Sequence, residues 1–168
     1  MVKNGLYVVM GVAGSGKSSI GAALAHVLDV EFVDGDDFHS PENIRKMAAG
    51  IPLTDDDRSG WLRTLASRLR DARNAGKGVV IACSALKRAY RDVLRGGAGD
   101  VRFIYLKGSR ELVGRRLASR GRHFMRTSML DSQFATLEEP TSDENAWVVD
   151  ITLSPEQIVA NLVIRASA

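Results

Sequence analysis

Gly11-Val12-Ala13-Gly14-Ser15-Gly16-Lys17-Ser18 fits G-x-x-x-x-G-K-[ST], the pattern of a phosphate-binding loop. The glycines let the backbone curl so that successive N–H groups point inward at a phosphate. In such a loop Lys17 reaches the β- and γ-phosphates, and the Ser18 hydroxyl can ligate Mg2+. The next helix, with Ser19 in its first turn, aims its positive end at the same anion. The flanks agree. Leu6-Tyr7-Val8-Val9-Met10 is an apolar, β-prone run, read as a buried strand. Ile20, Leu24, Val27 and Leu28 recur at helical spacing. A glycine-rich turn between two core elements is the plain alternative, and it leaves the Lys-Ser pair without a reason. A dinucleotide fingerprint is excluded, since no G-x-G-x-x-G can be laid on these glycines.

Outward from the loop, strands and helices alternate. Val30-Glu31-Phe32-Val33 predicts a second strand, running into Asp34-Gly35-Asp36-Asp37-Phe38-His39. Ser40-Pro41-Glu42 predicts a helix start, with Ile44, Met47 and Ala48 as its apolar face and Gly50-Ile51-Pro52 as its stop. Thr54-Asp55-Asp56-Asp57-Arg58 opens a helix striped by Trp61, Leu62, Leu65, Leu69 and Ala72. Val79-Val80-Ile81-Ala82-Cys83 is apolar without alternation, as buried parallel strands are. Ser84-Ala85-Leu86-Lys87 leads into a helix through Tyr90, Val93 and Leu94. Val101-Arg102-Phe103-Ile104-Tyr105-Leu106 is a fourth strand, followed by a helix that Ser109 caps. Ala146-Trp147-Val148-Val149-Asp150-Ile151 is a fifth, and Ser154-Pro155-Glu156-Gln157 is a capping box for the final helix. This order implies an α/β fold: a five-stranded parallel sheet with helices on both faces. Ligands then bind at the carboxyl ends of the strands, which places residues 11–18, 34–39, 84–87 and 107–109 on one rim.

The chain has 168 residues, enough for one domain with a sizeable core, and a formal net charge of +3 that anionic substrates explain as well as nucleic acid does. Its one cysteine, Cys83, allows no internal disulfide and falls in an apolar run. The opening residues do not read as a signal peptide and no apolar run spans a membrane, so a cytoplasmic enzyme is expected.

The candidate chemistry is acidic on one side and basic on the other. Motor and GTPase P-loop proteins carry a hydrophobic strand ending in a Mg2+-holding Asp, whereas the strongest strand here ends in Cys83-Ser84. The run ending in Asp150 comes late and reads as structural. Asp34, Asp36 and Asp37 are the other rim acids. A kinase needs one carboxylate to orient the acceptor hydroxyl and take its proton, and acids to serve Mg2+; an Asp-rich turn capping a helix is the alternative. With the P-loop beside it, the functional reading is favoured most for Asp36, then Asp34, then Asp37. His39 can donate to a sugar hydroxyl or simply sit at a helix start. Arg58 can clamp a carboxylate bidentately or pair with Asp55 or a neighbouring acid. Trp61 falls on a helix stripe and reads as core. Residues 115–126 hold five arginines in twelve positions. A solvated helix end, a nucleic-acid patch and a mobile lid over ATP all fit; the patch lacks the interleaved aromatics of a single-strand binder, so the lid is preferred, with Gly121 as its flexible point and Arg120, Arg122 and Arg126 as its cations.

Taken together these blocks resemble the gluconokinase family of small P-loop kinases, related in fold to shikimate and nucleoside monophosphate kinases. The resemblance runs through residues 11–18, Asp34-Gly35-Asp36 with His39, Asn43-Ile44-Arg45-Lys46-Met47, Gly50-Ile51-Pro52-Leu53-Thr54-Asp55-Asp56-Asp57-Arg58 with Trp61-Leu62, Cys83-Ser84-Ala85-Leu86-Lys87 with Tyr90-Arg91, residues 103–108, and His123-Phe124-Met125-Arg126 leading to Gln133-Phe134 and residues 137–140. It implies a single P-loop kinase domain over residues 1–168 with a lid at about 119–136, commonly a homodimer, that uses ATP and Mg2+ to phosphorylate D-gluconate at its 6-hydroxyl. No nucleic-acid or membrane partner is expected. By analogy with the shikimate kinase fold, Asp34 joins Ser18 at the metal, Asp36 meets the acceptor hydroxyl, and Arg58 lies near the substrate carboxylate. His39, Ser84, Lys87, Arg126 and Gln133 complete the expected sugar-acid pocket. Residues 11–19 and Arg120 hold the nucleotide, and Lys17, Asp36 and Arg126 carry the chemistry. Two departures stand out: Asp36-Asp37 is a doubled acid, and Arg126 stands where lysine is familiar. Another acceptor, such as shikimate, adenylylsulfate or a nucleotide, remains the main alternative.

Overall fold

A computed structural model describes residues 4–96, 99–119 and 127–168, and for Thr127 and Ser128 only the backbone. Five strands, β1 (Leu6–Met10), β2 (Glu31–Asp34), β3 (Val79–Ala82), β4 (Val101–Lys107) and β5 (Trp147–Asp150), form one all-parallel sheet in the order β2-β3-β1-β4-β5. β1 is the middle strand and every residue of it is buried. That is why it reads as an unbroken apolar run: a strand covered on both faces has no polar side to alternate with.

Seven helices cover the sheet among the described residues: α1 (Lys17–Leu28), α2 (Pro41–Ala48), α3 (Asp55–Asn74), α4 (Arg88–Arg95), α5 (Arg110–Ser119), α6 (Thr127–Thr136) and α7 (Pro155–Ser167). Leu6, Val8 and Met10 of β1 pack into one cluster with Trp61, Leu62, Leu65 and Leu69 of α3 and Tyr90 and Leu94 of α4. Tyr7 and Val9 face the opposite way, into a cluster with α1, α5 and α7. The period-two alternation of β1 thus divides the core into its two layers.

The expected helix starts hold. Ser40 and Ser154 accept from the amides of Asn43 and Gln157, with proline at the first helical position of each helix. Thr54 and Asp57 add a capping box at α3. The second strand begins one residue later than expected because Val30 donates its N–H to Ala25, in the exit turn of α1. Within the expected lid, residues 127–136 form α6, which is no bare polar segment: Leu130 is buried and Phe134, one turn on, packs against the same cluster. Gly121 and His123 and the arginines assigned to the lid, Arg120, Arg122 and Arg126, lie outside the described residues.

Candidate active site

β1 runs straight into the P-loop, and hydrogen bonds fix its exit. Gly11 donates to the Ser84 carbonyl at 3.3 Å, tying the loop to the end of β3. Gly16 has φ +98° and Gly14 φ +80°, the left-handed region where a side chain is strained, and a Cβ at Gly14 would meet Leu117 at 2.7 Å. Gly16 is the N-cap of α1 but offers no side-chain cap, and the first turn of α1 holds no acid. α2, α3 and α7 all have side-chain caps. The Ser15 hydroxyl is buried with no partner among the described residues. A loop with uncapped helix amides, an orphaned hydroxyl and no repelling acid fits a nucleotide phosphate. Lys17 Nζ rests on the Val12 carbonyl at 3.0 Å. Burial pulls the Lys17 pKa below its ordinary value, opposed by the charges of Asp36 and Asp34.

The two rim acids differ in their commitments. Asp34 accepts from Ser18 Oγ at 2.9 Å and from the Asp36 amide at 3.1 Å, using both carboxylate oxygens. A hydroxyl and a carboxylate paired at the foot of the P-loop form a hard oxygen donor set of the kind Mg2+ takes. The Asp36 carboxylate has no hydrogen bond among the described residues, only His39 Nε2 at 4.0 Å. Asp37 is exposed and does not line the cavity.

His39 is buried and stacks on Trp61 with ring centroids 4.0 Å apart. Trp61 in turn donates Nε1–H to the Gly35 carbonyl at 2.7 Å. Burial is the main cause that lowers the His39 pKa, with Arg58 pushing the same way and Asp36 opposing. The imidazole is therefore neutral at pH 7 and can donate to or accept from a hydroxyl. Arg58 does not hydrogen-bond Asp55, one of the two expected options. Its Nη1 donates to the Leu53 carbonyl at 2.8 Å and to Tyr90 Oη at 3.0 Å.

These groups meet around one cavity of about 520 Å³. Of the expected site residues, Ala13, Gly14, Gly16, Lys17, Ser18, Ser19, Asp36, His39, Arg58, Ser84 and Gln133 line it. Gly11, Val12 and Ser15 are buried within the loop. Lys87 does not line the cavity: its ammonium pairs with Asp55 at 3.2 Å. Gln133 reaches the loop itself, where its Oε1 accepts from the Ala13 amide at 2.6 Å. Asp150 accepts from the amide and hydroxyl of Thr152, a local turn consistent with a structural role. Cys83, at the end of β3, is 1% exposed, and burial pushes its thiol up to about 12.

Two groups of lining residues escape a sequence reading. Ile44, Met47 and Ala48, the expected apolar face of α2, wall the cavity, and Ile44 is 51% exposed. A helical apolar stripe looks the same whether it meets core or ligand. Met129 and Thr136 come from α6, whose helix the polar composition of 119–136 hides. A second cleft of about 680 Å³ lies at the opposite rim, among Glu31, Arg68, Asp71 and Lys77, and contains none of these groups.

A P-loop at the head of α1, facing an uncommitted carboxylate and a half-buried arginine across one cavity on the carboxyl rim of a parallel sheet, defines a small P-loop kinase. The model of the AAA domain family matches residues 6–140. The chain is 47% identical over 159 residues to the thermoresistant gluconokinase of Escherichia coli (strain K12), covering 94% of this chain and 91% of that one. Among solved structures, a gluconokinase from Sinorhizobium meliloti 1021 superposes with a TM-score of 0.87 at 42% identity, covering 99% of this chain and 98% of that one. A sugar kinase from Janibacter sp. HTCC2649 gives 0.89 at 48% identity, over 95% and 92% of the two chains. The chain belongs to the gluconokinase family.

Proposed function

We propose that this protein transfers the γ-phosphate of ATP to the 6-hydroxyl of D-gluconate, giving 6-phospho-D-gluconate and ADP. The observation that carries the reading is the pairing, in one cavity, of a carboxylate free to take a proton with a cation free to take a carboxylate: Asp36 and Arg58, both facing the P-loop lysine. Sequence identity to gluconokinases supports the acceptor.

The P-loop amides and Lys17 hold the phosphates. Ser18 and Asp34 would hold Mg2+, which neutralises charge on the phosphates when bound. Arg58 takes the gluconate carboxylate, and neutral His39 hydrogen-bonds a sugar hydroxyl. Asp36 orients the 6-hydroxyl and accepts its proton as the oxygen bonds to the γ-phosphorus and the bond to the ADP oxygen breaks. Lys17 stabilises the charge that spreads over the transferring group. Arg120 and Arg126 complete the cation set on the family resemblance alone, and the homodimer and the cytoplasmic location rest on the same resemblance. No helix among the described residues is long and apolar enough to cross a membrane.

The test is ADP release from purified protein with Mg·ATP and one acceptor at a time: D-gluconate, shikimate, adenylylsulfate and the nucleoside monophosphates. Saturable release with gluconate alone is expected. Release with another acceptor and silence with gluconate overturns the assignment of acceptor.

A further inference from the structure

Arg58 is held from behind by a network that the reaction does not use. Tyr90, on α4, is 5% exposed, and its ring lies under the Arg58 guanidinium at 5.3 Å from carbon to centroid. The Tyr90 hydroxyl sits between two partners. It donates to the Asp55 carboxylate and accepts from Arg58 Nη1 at 3.0 Å. A phenol has one proton and two lone pairs. With the proton committed to Asp55, the oxygen can only be an acceptor towards Arg58. Lys87 Nζ balances Asp55 at 3.2 Å, so the charge behind the phenol is neutralised. The second Nη1 proton goes to the Leu53 carbonyl at 2.8 Å. Both Nη1 protons are thereby taken on the protein side. The N–H groups of Nε and Nη2, the edge that matches the two oxygens of a carboxylate, have no hydrogen-bond partner among the described residues and belong to a side chain that lines the cavity.

From this we infer that Tyr90 is a positioning residue for acid-substrate recognition: its hydroxyl, polarised by Asp55, fixes the Arg58 fork so that the free edge is presented to the substrate carboxylate. Lys87 acts at two removes from the substrate, through Asp55 and Tyr90. The inference rests on the reading of Arg58 as the carboxylate cation.

The experiment compares steady-state kinetics of the wild type, Tyr90→Phe, Arg58→Ala and the double variant, with gluconate and Mg·ATP varied in turn. Tyr90→Phe keeps the buried ring and removes only the hydroxyl. It should raise the gluconate KM about 10-fold, the effect of losing a hydrogen bond to a charged group, with kcat and the Mg·ATP KM within about 2-fold. Asp55→Ala should raise the gluconate KM in the same direction by less. On the Arg58→Ala background, Tyr90→Phe should add nothing, because the hydroxyl acts only through the arginine. An unchanged gluconate KM in Tyr90→Phe, an equal rise in both KM values, or a full effect without Arg58 would overturn the role of Tyr90. If Arg58→Ala itself leaves the gluconate KM unchanged, the reading of Arg58 fails, and the role of Tyr90 with it.

Discussion

Asp34 and Asp36 stand two residues apart on one rim, and their hydrogen bonds separate their roles. Asp34 is anchored by Ser18 Oγ and by the amide of Asp36, whereas the Asp36 carboxylate has only the His39 ring at 4.0 Å. A base must be able to receive a proton without giving up existing bonds, which is why the proposed role of base falls to Asp36 and not to Asp34. Asp36→Asn is expected to lower kcat by roughly 10²-fold while leaving Mg·ATP affinity within about 2-fold, as removal of a general base should. Steady-state kinetics beside a nucleotide titration check this; a weakened nucleotide with normal kcat would instead assign Asp36 to the metal. In the sequence, only the P-loop beside them and the analogy with the shikimate kinase fold separate the two acids. That analogy already sets Asp34 beside Ser18, but no spacing rule shows the bond itself, which spans sixteen positions. For Arg58 the residues left carboxylate clamping and pairing with Asp55 equally open. Only the fold brings Tyr90 between the two.

At the level of elements, α4 is locked to the 3₁₀ turn Ser142–Glu144 by a buried ion-pair cluster. Arg91 Nε donates to Glu144 Oε1 at 2.7 Å, and both side chains are at most 1% exposed; Arg95 adds a third member at 2.6 Å. Arg91 also donates to the carbonyl of Ala85, a non-glycine residue at φ +45°, and so steadies the turn that carries Ser84 into the cavity. Burial works to raise the Glu144 pKa, but hydrogen bonds from Arg91 and Arg95 prevail and hold it at about 2, against an ordinary 4.5. A folded value below the unfolded one means stabilisation that is present above pH 4.5 and lost as pH falls towards 2. Glu144→Gln leaves Arg91 buried without its counter-charge and should cost about 3 kcal/mol at pH 7. Its Tm should also vary less than the wild type between pH 5 and pH 3, which a series of thermal melts would measure. An equal slope in both proteins would place the acid sensitivity elsewhere. Arg91 was legible only as one member of a family motif. Its partner lies 53 residues on, and no spacing rule links a helix arginine to a distant turn.

For the whole molecule, the parallel sheet with helices on both faces follows from physics the chain displays openly, whereas the strand order comes from the structure. Apolar runs without alternation require a sheet covered on both faces, and a helical crossover between each pair of successive strands keeps it parallel. With β1 central and β3 and β4 on either side, the P-loop stands over the middle of the sheet. The rim rule then gathers residues 34–39 and Ser84 beside it. What composition concealed was the helix over Thr127–Thr136. Residues 119–136 read as polar because their apolar residues are scattered among charged and hydroxyl ones, yet Leu130 and Phe134, one turn apart, are enough to seat α6 on the core.

The same central placement gives the molecule a clock. Cys83 lies beneath the site at the end of β3, where its amide bonds to Val9 of β1. Its thiol is sealed from solvent, and burial keeps it protonated. A thiol-reactive chromogenic reagent can reach it only when the core layer that it shares with Trp61, Leu65 and Tyr90 opens, so the labelling rate at the chain's one cysteine counts openings of that layer. Labelling of the native protein should be slow and first-order, and slower again with Mg·ATP and gluconate, because ligands that bind only the closed form reduce the open fraction. Rapid stoichiometric labelling without denaturant would show instead that the floor of the site breathes on its own.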